Sequence, residues 1–168
     1  MITHVRPRSR AVCSERIPNV RRININALRS IAVNLVPRVK EMGFQPESRE
    51  RCWDLLASTP DFEAWVIGWP TGGLIELHDH GSSVGAVAVV SGELVETKIV
   101  SEGDRLGTRS TTLSAGDTVK LRSHCVHDVV NLGSSPAVSV HVYSPRLKQM
   151  TYYELSDGSL DALRTIHY

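Results

Sequence analysis

Two histidines one residue apart, His78 and His80, are the clearest chemical signal in this 168-residue sequence. They close the run Gly72-Gly73-Leu74-Ile75-Glu76-Leu77-His78-Asp79-His80-Gly81. In a strand, residues two apart point to the same face. Both imidazoles then aim at one point while Asp79 faces away, and neutral imidazole is a frequent metal ligand. Two of seven histidines can also pair this way by chance. The same alternation turns Glu76 inward beside His78, as a lesser candidate ligand.

Two further stretches carry chemistry. The first is Gly116-Asp117-Thr118-Val119-Lys120-Leu121-Arg122-Ser123-His124-Cys125-Val126-His127-Asp128-Val129-Val130-Asn131. The second places Ser139, His141 and Tyr143 at i, i+2 and i+4, with Val138, Val140 and Val142 between them. On a strand, three polar groups then share one face and valines take the other. If the polar face points inward, its members must hydrogen-bond one another, because burying them unpaired is costly. Such a relay would end in a Tyr143 hydroxyl able to donate to a bound ligand. The alternative is that the valines are buried and the polar face meets solvent.

The elements that must position these residues follow from periodicity. Leu28, Ile31, Leu35 and Val39 recur at helical steps between Ile23 and Met42, and Pro37 is expected to split or kink that helix. A second short helix is expected from about Pro46 to Ala57, with Pro46 near its first turn and Leu55 and Leu56 buried. Beyond Thr59 the texture changes to short β-rich runs. Strands are expected near 62–69, 73–79, 84–90, 93–100, 108–113, 117–122, 126–131, 136–143, 151–155 and 160–166. Many short strands separated by turn residues indicate a sandwich or barrel. The expected organisation is a basic arm over 1–22, a helical segment over 23–58 packing on the barrel, and an all-β barrel over 59–168.

Composition excludes some partners. Nineteen basic residues against eighteen acidic give a net charge of +1, so nucleic acid is not an expected partner. No apolar run approaches the roughly 18–20 residues of a membrane helix, and no apolar stretch follows the N-terminal charges as in a secretory signal. Cys13, Cys52 and Cys125 are read as reduced thiols in a cytoplasmic protein. The basic stretch Arg6–Arg22 reads as a solvated tail, with a contact to RNA or another partner as the alternative.

Together the histidine stretches resemble the two motifs of the cupin family. Gly72 stands six residues before His78, Gly92 matches the later glycine of the first motif, and Gly116, His127 and Asn131 match the spacing of the second. The resemblance implies a double-stranded β-helix, or jelly-roll, barrel. It also implies that His127 joins His78 and His80 as a metal ligand. Many cupins add a glutamate five residues after the second histidine. Here that position is Gly85, so the metal would keep open positions, as catalytic sites do.

Three segments narrow the likeness further: Trp69-Pro70 followed by His78-Asp79-His80-Gly81, Val89-Val90-Ser91-Gly92-Glu93-Leu94, and Pro136 to Pro145. They resemble the bacterial branch of the cysteine dioxygenase type I family over about residues 65–153. That resemblance implies Fe(2+) as cofactor, a small thiol and O2 as substrates, and a sulfinate as product. It gives Ser139, His141 and Tyr143 the role of an outer triad. The cysteine that crosslinks the tyrosine in animal members is also replaced by Gly85. The family's carboxylate-binding arginine has no clear counterpart. Register places Trp53 or Asp54 there, and Arg51 is the nearest basic candidate. Cysteine, 3-mercaptopropionate or another small thiol would fit, in a monomer or homodimer. The alternatives are a non-catalytic metal-binding cupin acting as a small-molecule or metal sensor, or a cupin enzyme acting on catechols or sugars.

Overall fold

A computed structural model of the chain describes residues 21–46, 49–103 and 105–168. All but the last two residues of the expected basic arm lie outside the described residues. In chain order come α1 (Ile25–Met42), β1 (Cys52–Ser58), β2 (Glu63–Trp69), β3 (Leu74–Asp79), β4 (Val84–Ser91) and β5 (Glu93–Glu102). Then follow β6 (Arg105–Ser114), β7 (Thr118–Leu121), β8 (His127–Val130), β9 (Ala137–Ser144), β10 (Gln149–Ser156) and β11 (Ser159–His167). The strands form a five-stranded sheet, β1-β2-β9-β4-β7, and a six-stranded sheet, β11-β10-β3-β8-β5-β6. Every pairing is antiparallel. This is the cupin double-stranded β-helix expected from the sequence.

The five-stranded sheet is buried on both sides. Its outer face presents Ala64, Val66, Ala86, Ala88, Val138, Val140 and Val142 to Leu28, Ala32 and Val39 of α1. Small and β-branched residues leave a flat surface on which a helix can lie. Its inner face contributes Trp69, Val87, Val89 and Val119 to a second cluster with Leu94, Leu113 and Val129 of the other sheet. Every residue of β9 is therefore buried, the valines against the helix and the polar alternates inside the barrel. The two readings of that strand are reconciled, since both of its faces are covered.

Local sequence accounts for α1. Asn24 caps it by accepting from the Ala27 N–H at 2.9 Å, and Gly43 ends it in the left-handed region at φ 62°. The helix runs through Pro37 without dividing. Pro37 deprives the Val33 carbonyl of its partner, but both residues lie on the exposed side, where water can replace it. Gly92 links β4 to β5 and so carries the chain from one sheet to the other. Its φ is 73°, and a Cβ there would stand 2.7 Å from Ala137, so only glycine fits this crossing.

One expected element is replaced. The helix expected over about Pro46–Ala57 is instead the strand β1, which pairs with β2 from Cys52↔Gly68 to Ser58↔Glu63. The adjacent leucines Leu55 and Leu56 suggested helical burial, but only Leu56 is buried, in the cluster beneath α1. A register shift between Leu55 and Ala57 disturbs the alternation that would have marked the strand. The barrel therefore begins at Cys52, and a single helix covers it among the described residues.

Because α1 covers the sheet whose other face carries the polar strand, its packing should be a main source of stability. Leu28→Ala is expected to cost about 2–5 kcal/mol through lost burial and the cavity left behind. Urea unfolding of the metal-free protein measures it, and a loss below about 1 kcal/mol would show that α1 contributes little.

Candidate metal centre

His78 and His80 sit at the end of β3, and His127 opens the neighbouring strand β8, so that His78 and His127 are direct register partners. All three rings are buried. Ring centroids lie 4.7 Å apart for His78–His80 and His78–His127, and 5.2 Å for His80–His127. One nitrogen from each forms a cluster whose members all lie within 4.8 Å of one another.

Hydrogen bonds settle which nitrogens face inward. His78 Nδ1 lies 2.8 Å from the Glu76 carbonyl, which has only lone pairs to offer, so Nδ1 carries the proton. His127 Nδ1 donates to Glu96 Oε1 at 2.8 Å. Both rings thus turn Nε2 toward the cluster. His78 Nε2 and His80 Nε2 are 3.2 Å apart, and His127 Nε2 is buried without a partner. Burial holds His78 down to about 3, assisted by His127 and only partly opposed by the Glu76 carbonyl. Burial, then His78 and His127, keeps His80 well below the ordinary range. Burial thus disfavours charge on His78 and His80, and one nitrogen from each of the three rings converges on a single place, as ligands of one cation would. Two nitrogens about 2.1 Å from one ion and at right angles are about 3 Å apart, close to the separation here. The residues therefore fit a divalent metal held by His78, His80 and His127.

Glu96 is the residue that sequence reasoning missed. It lies on β5, two residues after the interior Leu94, so alternation sends its carboxylate into the barrel beside His127. Burial would raise its pKa, but the His127 hydrogen bond, the His127 charge and Lys98 at 3.1 Å outweigh this and leave it lowered. An acid on an inward face was the available signal. Such a carboxylate fixes the ring's tautomer and orientation.

Glu76, by contrast, does not point inward. The register shifts between Ile75 and His78, so strict alternation fails just before the ligands. Ile75 lines the cavity with His78, while Glu76 is exposed and pairs with Arg164. Asp79, facing away as expected, accepts from the Gly81 N–H and the Tyr153 hydroxyl, each at 2.9 Å, and so braces the turn after His80. Asn131 works similarly. Its amide donates to the Trp69 and Ser135 carbonyls, tying the loop after β8 to the end of β2. Cys125 precedes β8, is half-buried and takes no part in the cavity wall.

The polar face of β9 forms a continuous chain. Trp69 Nε1–H donates to Ser139 Oγ at 2.8 Å, Ser139 Oγ lies 2.8 Å from His141 Nε2, and His141 Nδ1 lies 3.1 Å from Tyr143 Oη. Tyr143 Oη then stands 3.2 Å from His80 Nε2, so the chain ends at the metal cluster. Burial lowers His141 to about 3 and raises Tyr143, keeping the imidazole neutral and the phenol protonated. Gly85 faces Tyr143 across the β4–β9 ladder, and a Cβ there would stand 2.9 Å from the ring. Its lack of a side chain is what admits the Tyr143 ring.

The cluster opens into a cavity of about 560 Å³. Arg51, the residue before β1, and Trp53 within it both line it, whereas Asp54 faces elsewhere. The Arg51 guanidinium lies over the Trp69 ring at 5.1 Å and near the Trp53 ring at 5.8 Å. Among the described residues it makes no ion pair with a carboxylate. Burial lowers its pKa, partly offset by Tyr152 and Tyr143.

A jelly-roll barrel with three buried histidines, on two adjoining strands and the turn between β3 and β4, defines the chain as a metal-site cupin. It belongs to the family described as cysteine dioxygenase type I, whose profile matches residues 26–156. Membership of that family and the three-histidine site mark it as a metal-dependent dioxygenase. Among solved structures it resembles TT1209 from Thermus thermophilus, with 18% identity over 64% of this chain and 94% of that one, at a TM-score of 0.53. It also resembles an uncharacterised double-stranded β-helix protein from Klebsiella pneumoniae, with 22% identity over 74% and 93% of the two chains and a TM-score of 0.52. A third is KdgF from a Halomonas species, with 24% identity over 61% and 84% and a TM-score of 0.50. These likenesses concern the fold.

Two outcomes test the site. Glu96→Gln keeps an acceptor for His127 but removes its charge, and is expected to weaken metal binding about 10–100-fold. Anaerobic titration with Fe(II) or Co(II) reads this, and unchanged affinity would contradict it. Separately, the metal-free protein should lose stability as pH falls from about 6.5 towards 3. The unfolded chain takes up protons at His78 and His141 in that window while the folded one does not. Urea midpoints that stay level over that range would refute this.

Proposed function

We propose that this chain is an Fe(II)-dependent thiol dioxygenase that converts a small thiol acid, such as cysteine or 3-mercaptopropionate, to its sulfinate. The reaction is RSH + O2 → RSO2⁻ + H⁺. The S–H and O–O bonds break, two S–O bonds form, sulfur gives up four electrons and dioxygen takes up four. No outside reductant is needed. Iron held by His78, His80 and His127 would supply a Lewis acid that lowers the thiol's pKa and a redox centre for dioxygen.

The observation that carries this reading is the chain from Trp69 to Tyr143 ending 3.2 Å from a ligand nitrogen. With Trp69 already donating to Ser139, the Ser139 O–H is directed to His141 Nε2. His141 Nδ1–H is then directed to Tyr143 Oη, and the Tyr143 O–H is left for the site. With His80 Nε2 committed to the metal, that hydroxyl is a fixed donor to charge developing on sulfur or oxygen. A metal-binding sensor gains nothing from burying such a chain. Arg51, half-buried and without a carboxylate partner among the described residues, supplies the positive charge for the substrate's acid group. Trp53 and Trp69 restrict its motion by stacking.

Anaerobic reconstitution with Fe(II), followed by O2 uptake and sulfinate detection with a thiol panel, tests the reaction. Failure with every thiol removes it. Tyr143→Phe is expected to retain metal and lower kcat roughly a hundredfold. Wild-type turnover by that variant would remove the relay's role.

A further inference from the structure

The cavity is much larger than the substrates just named. Its volume is about 560 Å³, whereas one water occupies about 30 Å³ in the liquid. Well over a dozen waters would fit. A molecule the size of cysteine, bound at the histidines and Arg51, would leave most of that space wet. Cavities of this size ordinarily enclose ligands several times larger.

The walls say what the remaining space prefers. Beyond the metal cluster they are formed by Trp65 and Ile67 of β2, Ile75 of β3, Leu147, Met150 of β10 and Ile166 of β11. Alternation along β2 sends Trp65, Ile67 and Trp69 inward while Ala64, Val66 and Gly68 face the other way. Aromatic and aliphatic side chains thus recur on the very face that meets the ligand. Water against such a surface is readily displaced by an apolar group. The acid in the wall, Glu63, already accepts from the Leu147 N–H at 3.0 Å.

We infer that the natural substrate is a thiol acid carrying a substantial apolar or aromatic body. Its thiol goes to the three-histidine cluster, its carboxylate to Arg51, and its body between Trp65, Ile67 and Met150. The inference deepens the dioxygenase reading and rests on it for the reaction, but the selection of an apolar acid can be read without turnover.

The test compares 3-mercaptopropionate with 2-benzyl-3-mercaptopropionate, which share the thiol and carboxylate and differ by one benzyl group. With Fe(II)-loaded enzyme, kcat/KM is expected to be at least tenfold higher for the benzyl compound. Tryptophan fluorescence of the metal-free protein gives the second readout, using the thiol-free acids propionate and 2-methyl-3-phenylpropionate. The phenyl acid is expected to bind at least tenfold more tightly, and Met150→Trp, which fills the space, is expected to abolish that difference. Equal or better turnover of 3-mercaptopropionate overturns the inference and leaves the dioxygenase reading standing. If neither thiol is oxidised, the inference falls, and the dioxygenase reading falls with it only if the wider thiol panel also fails. Equal binding of the two acids overturns the inference by itself.

Discussion

Four imidazoles and a phenol buried inside one barrel impose the constraint on which the rest of the structure depends. Burial disfavours charge on His78, His80 and His141 and makes an unpaired ring nitrogen costly, so each ring nitrogen needs a partner or a metal. His78 uses the Glu76 carbonyl, His127 uses Glu96, and His141 uses Ser139 and Tyr143. Among these nitrogens His127 Nε2 alone has no hydrogen-bond partner, and it lies beside the paired Nε2 atoms of His78 and His80. A cation there would be coordinated by all three.

The fold provides the two kinds of surface this arrangement needs. The valines of β9 are covered by α1, so the strand can give its whole inner face to Ser139, His141 and Tyr143. Gly85 lets the Tyr143 ring pack directly on the adjoining strand, which fixes the hydroxyl at the cluster. The irregularity between Ile75 and His78 re-aims the end of β3, putting two histidines inside and an acid outside. A β-bulge next to a site commonly has this effect.

Much of this could be read from the chain. Strict alternation in Val138–Tyr143 disclosed the polar face of β9, because a period of two is a local property, while the resemblance of the glycine-flanked histidine runs to cupin motifs pointed to the barrel and set His127 beside His78 and His80. What stayed hidden depends on tertiary pairing. β1 looked helical because Leu55 and Leu56 are adjacent and its register shifts between Leu55 and Ala57. Pro37 looked like a break because sequence does not show that Val33 and Pro37 face solvent. Arg51 was offset from the expected register, yet alternation with Trp53 brings it into the cavity. Glu96 stood thirty-one residues from His127 with no motif to join them.

X-ray absorption at the iron edge of the anaerobically loaded protein tests the central claim most directly. The expected result is one iron per chain with three imidazole scatterers at about 2.1 Å and no protein carboxylate. A first coordination sphere with fewer than three imidazoles, or one completed by a glutamate, would contradict the account.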